Sequence, residues 1–148
     1  MTTSATLRPA RREDLSSVIA LDAANTGLSK PDYWEDAYAR YGESPDAPFL
    51  IAEVEGQFAG FLIGEIRAWE FGSPPCGWGF ALGVLPEFRT QGIGTALFEA
   101  ACAAFRESGV AQVRTMLNRD DPLNMAFFRG QGMMAGPFLQ LELDLEKA

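Results

Sequence analysis

The sequence predicts an α/β protein, in which a mixed sheet of the α+β kind is covered by helices. Strand-like and helix-like segments follow one another in the order β, α, α, β, β, β, α, β, α, β. Hairpin-linked strands therefore precede βαβ units, which is typical of a mixed sheet. The chain has 148 residues, of which 47% are hydrophobic and 22% charged. That composition suits one core, and we expect a single domain over residues 1–148.

Two helices and a hairpin are predicted in the first half of the chain. Leu15, Val18 and Ile19 recur at helical spacing after the acidic pair Glu13-Asp14, which favours a helix start. The two-residue turn Glu55-Gly56 joins two apolar runs and indicates a β-hairpin. The predicted elements are a strand at 6–8, a helix ending at 24–27, a helix at 31–41, and strands at 49–54 and from 57 to about 71.

The second half alternates strands and helices. An Ala-rich segment starting at Ile93 has apolar residues at helical spacing and is stopped by Ser108-Gly109. Asp121 is a favourable helix cap with Pro122 at the first helical position. Residues 138–145 alternate apolar and polar side chains, which predicts a half-buried last strand. The predicted elements are strand 77–85, helix 93–107, strand 111–117, a helix from 122 to about 129, and strand 138–145.

Composition excludes several classes of function. Twelve Lys and Arg stand against twenty Asp and Glu, a net charge of −8, so we expect no nucleic-acid partner and favour a cationic one. The chain has no His, which excludes Ser-His and Cys-His pairs and His-ligated metals. With only two Cys we expect no metal and a reducing, cytoplasmic location. No apolar run approaches the ~20 residues that span a bilayer, so no membrane partner is expected.

The segment from Arg89 to Thr95 carries the clearest chemical signal. A strand ends, a Gly-rich turn follows and a helix begins. The first turn of a helix presents N–H groups and partial positive charge, and Gly92 and Gly94 would let a phosphate approach the backbone. The spacing differs from that of dinucleotide and Walker A loops. The Gly-rich helix start predicts a pyrophosphate site. The alternative is a tight turn without a ligand, which would leave the presence of Arg89 unexplained.

With the residues before it, this segment resembles the GCN5-related N-acetyltransferase (GNAT) superfamily. The family has a strand ending in a Val-x-Pro-Glu-Tyr-like phrase and a loop Arg/Gln-x-x-Gly-x-Gly/Ala. Here the text reads Val84-Leu85-Pro86-Glu87-Phe88-Arg89-Thr90-Gln91-Gly92-Ile93-Gly94. The resemblance implies a GNAT-like fold, with a central, mostly antiparallel sheet of six to seven strands flanked by about four helices. It also implies transfer of acetyl from acetyl-CoA, the acyl donor, to a primary amine by direct attack. The amine could belong to a small molecule, a peptide or protein N-terminus, or a lysine, and a homodimer is left open.

The resemblance further implies which residues bind the donor. Backbone N–H groups from Gln91 to Thr95 would hold the CoA pyrophosphate, and the main chain at Leu82 and Val84 would bind the pantetheine arm. Asn118 either meets CoA or caps a turn. The implied cofactor-binding residues are Leu82, Val84, Arg89, Thr90, Gln91, Gly92, Ile93, Gly94, Thr95, Asn118 and Phe128.

The implied catalytic groups depart from the family pattern. Residues 121–133 resemble the family's second phrase, but Phe128 stands where many relatives carry the Tyr that protonates the leaving thiolate. The usual carboxylate positions hold Phe80 and Ala81. A catalytically weak acyl-CoA-binding module of GNAT fold is therefore the alternative function.

The candidate general base is Glu65, with Glu70 as the second candidate. A solvated strand residue is the plain alternative for Glu65. Aromatic residues of the second predicted helix either line the acceptor pocket or belong to the core. They are Tyr33, Trp34, Tyr38 and Tyr41.

Overall fold

The computed structural model describes residues 5–44 and 47–147. Its strands are β1 (Ala5–Pro9), β2 (Phe49–Val54), β3 (Gln57–Arg67), β4 (Cys76–Val84) and β5 (Val113–Arg114). Its α-helices are α1 (Leu15–Thr26), α2 (Pro31–Tyr41), α3 (Ile93–Glu107) and α4 (Pro122–Gly130). Contacts divide the chain into two compact units, one ending at Met116 and the other beginning at Leu117. In the described ranges no helix combines the length and apolarity needed to cross a membrane.

The five strands form one mixed sheet in the order β1-β2-β3-β4-β5. Neighbours are antiparallel except β4 and β5, which are parallel. Parallel neighbours need a crossover connection, and α3 provides it between these two strands. The predicted mixed sheet with four helices is thus confirmed, although the described residues form five strands where six to seven were expected.

The sheet is buried on both faces. On one face, α1 and α2 pack Val18 and Trp34 against Ile51, Phe61 and Ile63 of the strands. On the other face, α3 covers a second cluster. Side chains alternate between the two faces along β2 and β3, so each strand contributes to both clusters. The second cluster includes Ala52, Leu62, Ile93, Leu97 and Phe105.

Two strand predictions are wrong in extent. β3 ends at Arg67 and does not reach Phe71, because Trp69 and Phe71 adopt left-handed backbone angles (φ 65° and 54°) around a 3₁₀ turn. β5 covers Val113–Arg114 only, where a strand over 111–117 was expected.

The predicted last strand at 138–145 is absent from the described part of the chain. Its apolar side chains are mostly exposed, and Leu141 is 85% exposed. An alternating pattern defines two faces, but a strand also requires a neighbour that completes the hydrogen-bond ladder. No such neighbour pairs with this segment among the described residues.

A half-buried arginine joins β1 to the 3₁₀ turn that follows it and to β2. Arg8 of β1 donates to Asp14 (Nη2–Oδ1, 2.7 Å) and to Glu53 of β2 (Nε–Oε1, 2.6 Å). Burial alone would raise the pKa of Asp14, but hydrogen bonds from Arg8 and from the Arg11 backbone N–H outweigh it and hold that pKa below its usual range. The carboxylate form of Asp14 therefore stabilises the folded state.

We expect Asp14→Asn to lower the free energy of unfolding by about 1.5–3 kcal/mol at pH 7, the usual contribution of hydrogen bonds to charged groups. Because the folded-state pKa lies below the unfolded value of about 3.9, the stabilisation is present above that pH and is lost as pH falls through the folded pKa. Urea unfolding between pH 3 and 7 measures this. The exposed neighbour provides a control, Glu13→Gln. A deficit that is the same at every pH would contradict the assignment.

Candidate functional site

The turn between β4 and α3 forms the start of the site. A 3₁₀ turn at Pro86–Phe88 follows β4, and the backbone then becomes left-handed at Thr90 (φ 70°) and Gly92 (φ 78°). Gly92 is the N-cap of α3, and no side chain caps the helix there. Glycine adopts this conformation without steric cost and carries no side chain that could cap the helix.

The space around this turn suits an anionic group such as a pyrophosphate. Apart from Gly92 itself and its two chain neighbours, no atom of the described residues lies within 4 Å of the position that a Cβ on Gly92 would occupy, so the backbone can be approached closely. Helix N-termini favour negative charge. Gln91 Oε1 is buried and accepts no hydrogen bond from the described residues, so a donor on a bound ligand would satisfy it.

Arg89 braces the turn. Its Nε donates to the Val84 carbonyl oxygen (3.2 Å), and its Nη2 donates to Asn25 Oδ1 near the end of α1 (3.3 Å). The side chain thus ties the end of β4 to α1, a role that the sequence motif did not reveal.

One edge of β4 is only partly paired. Among the described residues, β5 pairs with β4 only at Gly77 and Trp78, and the Thr115 hydroxyl then donates to the Gly79 carbonyl (2.7 Å). The register with β3 shifts next to this point, leaving Phe80 as the extra residue of a bulge.

Beyond the bulge, the main chain of Leu82 and Val84 faces away from β3. The Val84 carbonyl accepts from Arg89, whereas the next N–H, of Leu85, donates to Ala59 on the β3 side. Backbone groups alternate along a strand, so Leu82 shares the edge of Val84. This edge runs from the bulge to the turn before α3, and an extended chain could add to it there.

A cavity of about 450 Å³ opens beside the bulge. Glu65 is among its lining residues, whereas the second candidate base, Glu70, is exposed in the 3₁₀ turn and does not line it. The aromatic residues of α2 divide between the cavity and the core. Tyr33 and Tyr41 line the cavity, while Trp34 and Tyr38 pack with the core. The lining residues are Tyr33, Asp36, Ala37, Arg40, Tyr41, Glu65, Arg67 and Phe80.

Both carboxylate oxygens of Glu65 are hydrogen-bonded. The Tyr41 hydroxyl donates to Oε2, and Arg67 Nε donates to Oε1 (2.8 Å). Burial acts to raise the pKa of Glu65, but these two hydrogen bonds and the positive charges of Arg67 and Arg40 lower it overall. Burial and the hydrogen bond to Glu65 raise the pKa of Tyr41. Glu65 is therefore ionised, and Tyr41 protonated, at neutral pH.

Residues after Met116 belong to the second compact unit. Asn118 Oδ1 accepts from the Asp120 N–H (2.8 Å), so it caps the turn before α4. Asp121 Oδ1 accepts from the Asn124 N–H (3.1 Å), which confirms the predicted helix cap. Phe128 is half-buried and packs edge-on against Phe127, with ring centroids 5.1 Å apart.

Three charged residues of the cavity were not predicted from the sequence: Asp36, Arg40 and Arg67. Arg67 could have been found, since it lies two residues after Glu65 and so shares its face of the strand. Nothing in the sequence marks Asp36 or Arg40, because an exposed helix normally carries such charges. In the described ranges no three Cys, Asp or Glu residues are grouped to hold a metal ion.

A family model described as "Acetyltransferase (GNAT) family" matches residues 15–133. The chain belongs to the GNAT acetyltransferase family. The match runs from the start of α1 to just beyond the end of α4.

Two curated relatives of this GNAT chain are enzymes by name. An N-alpha-acetyltransferase of Sulfurisphaera tokodaii is 29% identical over 108 residues, which are 68% of this chain and 62% of that protein. An L-2,4-diaminobutyric acid acetyltransferase of Nocardia farcinica is 33% identical over 79 residues, 53% of this chain and 39% of that protein. The matched regions thus span less than two thirds of either relative.

Solved structures establish the GNAT fold. The aminoglycoside N-acetyltransferase AAC(6')-Iy in complex with CoA superposes with a TM-score of 0.83 at 16% identity, covering 96% of this chain and 95% of that one. A transcriptional regulator from Bacillus halodurans C-125 gives a TM-score of 0.80 at 18% identity, covering 96% and 100%.

We expect Gly94→Asp to abolish CoA binding, measured by calorimetry. Two unit charges 4 Å apart near a protein surface repel by about 4 kcal/mol, so a carboxylate beside the pyrophosphate would oppose binding strongly. An acidic residue in the first turn stabilises a helix, so the variant should still fold. Gly94→Ala is the uncharged control and should bind more tightly than the Asp variant. A folded Asp variant with wild-type affinity would place the phosphate site elsewhere.

Proposed function

We propose that the protein transfers an acetyl group from acetyl-CoA to a primary amine by direct attack. One observation carries the proposal. β4 connects the two halves of the site, since Phe80 lines the cavity and the Leu82–Val84 edge leads from there to the N-terminus of α3. A donor lying along this edge would have its phosphates at the helix and its acyl group at the cavity. The names of both curated relatives support an amine acceptor.

The chemistry needs few groups from the protein. The amine nitrogen attacks the thioester carbonyl carbon; the new C–N bond forms and the C–S bond breaks. The sulfur leaves with the bonding electrons, and the amine loses one proton. In this proposal an N–H of the open β4 edge donates to the carbonyl oxygen as negative charge develops on it. The leaving thiol has an ordinary pKa of about 8.5, so it can leave as thiolate near neutral pH.

Glu65 is the proposed base that receives the amine proton. Because its pKa is lowered, Glu65 is ionised and able to accept a proton at neutral pH, but it is a weak base. The pKa of the acceptor amine therefore decides how readily the proton is transferred. Deprotonating an amine of pKa about 10.4 at pH 7 costs about 4.6 kcal/mol, but an α-amine near 8 costs only about 1.4 kcal/mol. The proposal therefore favours a less basic amine such as a peptide α-amine for direct proton transfer to Glu65, or transfer through a water molecule for a more basic amine such as that of a free amino acid.

A GNAT-shaped module that binds acyl-CoA and catalyses little is the second candidate function. It is favoured by Phe128 at the usual acid position and by the two hydrogen bonds that occupy Glu65. Release of free CoA thiol with a panel of primary amines distinguishes the two. Turnover with any amine supports the enzyme, whereas tight acetyl-CoA binding without turnover supports the module.

We expect Glu65→Gln to lower kcat/KM. Because the pKa of Glu65 lies below its ordinary value, the base is lost only at acid pH, and the corresponding limb of the profile below about pH 4.5 should disappear in the variant. Rates from pH 3 to 9 provide the measurement. Glu70→Gln, which changes an exposed carboxylate outside the cavity lining, is the control. An unchanged rate and profile in Glu65→Gln would remove Glu65 from the mechanism.

We expect Phe128→Tyr to raise kcat, because it restores a hydroxyl where many relatives carry an acid. A general acid contributes up to about 10²–10⁴-fold, and less here if departure of the thiolate does not limit the rate. The gain should be greatest at low pH and fade towards the Tyr pKa of about 10. The ratio of variant to wild-type kcat over pH 6–9 measures it. A flat ratio would favour a packing role for Phe128.

A further inference from the structure

The charges of the cavity do not follow those of the whole protein. The chain carries a net charge of −8, yet the cavity lining contains two carboxylates, Asp36 and Glu65, and two guanidinium groups, Arg40 and Arg67. These formal charges cancel. The preference for a cationic partner that follows from overall charge therefore does not apply locally, since charges at contact distance dominate recognition.

Arg67 is held in place by one hydrogen bond, and its terminal Nη groups are available as hydrogen-bond donors to a ligand. Its Nε donates to Glu65 Oε1 (2.8 Å), and its guanidinium carbon lies 4.8 Å from the centre of the Trp78 ring. Its two terminal Nη groups donate to none of the described residues. The side chain is 38% exposed, so a ligand can reach it. A fixed, planar guanidinium with free terminal N–H groups matches a carboxylate.

Asp36 provides the opposite charge. It lies one helical turn before Arg40 on α2, a spacing at which the two side chains would ordinarily pair. Asp36 nevertheless forms no hydrogen bond or ion pair with the described residues, and Arg40 lies against the Tyr41 ring at 5.9 Å. The cavity thus offers an unpaired carboxylate on the helix side and unused guanidinium donors on the strand side.

We propose that the acceptor is a small amino acid, and that Arg67 binds its carboxylate. This rests on the proposed acetyl transfer and names the substrate class for the same site. An acceptor with both an ammonium and a carboxylate complements both charges of the lining. A polycationic amine would meet two guanidinium groups, and a peptide N-terminus would offer Arg67 only a neutral amide. The volume of about 450 Å³ suits a small molecule. Glu65, beyond its proposed role as base, orients Arg67.

The test compares acceptors that differ only in the carboxylate. The standard L-amino acids and L-2,4-diaminobutyric acid are each assayed beside their primary amides, with the wild type, Arg67→Gln and the exposed control Arg106→Gln. The quantity compared is kcat/KM for the acid divided by kcat/KM for its amide. An amide also changes the amine pKa, but that effect cancels when the ratios of two variants are compared.

For at least one amino acid, we expect the ratio to fall about ten- to a hundredfold in Arg67→Gln, the usual effect of losing a charged hydrogen bond. It should stay at the wild-type value in Arg106→Gln. Arg67→Lys, which keeps the charge without the planar fork, should give an intermediate ratio and serves if the Gln variant does not fold. Equal ratios in the wild type and Arg67→Gln for every acceptor would overturn the proposal, as would acetylation of the amides alone.

A binding measurement separates this inference from the proposed function. Calorimetry of the same acids and amides is performed on the protein with CoA present. Suppose that no acceptor is acetylated, but that the acids bind to the wild type and bind about tenfold or more weakly to Arg67→Gln. The carboxylate site is then supported and the proposed acetyl transfer is refuted. If amines without a carboxylate are acetylated and no acid is bound or acetylated, acetyl transfer stands and the carboxylate site is refuted.

Discussion

The site depends on how β4 is paired. In the described chain, β4 pairs with β3 from Cys76 to Val84 except at the bulge residue Phe80, but with β5 only at Gly77 and Trp78. Backbone N–H and C=O groups that lack a strand partner must find another acceptor or donor, so an unpaired edge in the middle of a fold is available to a ligand. The continuous pairing on the other side keeps that edge rigid. A Cβ on Gly64 would lie 2.6 Å from the Trp78 carbonyl oxygen, so the close approach of the two strands requires glycine there.

The bulge at Phe80 links this edge to the cavity. An extra residue in one strand bends it and redirects the side chains beyond it. Here the bulge lies between the paired and the open part of β4, and Phe80 becomes a wall of the cavity in contact with Tyr41, at 5.8 Å between ring centroids. The open edge of β4 and the cavity beside it are therefore consequences of one irregularity in one strand.

The polar groups of the cavity form a connected set. Tyr41 and Arg67 both donate to Glu65, and Trp78 supports the guanidinium from beneath. Partly buried charges are stable when each is paired, and removing one member leaves the others uncompensated. The same interactions that lower the pKa of Glu65 orient Arg67, so the proposed base and the proposed carboxylate site depend on a single carboxylate. A strong base at this position would require Glu65 to give up the partner that fixes Arg67.

The sequence by itself determined the order of the helices and most strands, the cap at Asp121 and the Gly-rich turn before α3, because each follows from local periodicity or backbone preference. It also placed Glu65 on the long strand after the hairpin, which is β3. Tertiary structure decided the rest. Alternation could not tell that residues 138–145 lack a strand partner in the described chain, and spacing could not show that Arg89 braces the turn. The sequence pattern also could not predict that Asp36 of α2 and Arg67 of β3 line the same cavity, because contacts between distant segments are set by how helices pack on the sheet.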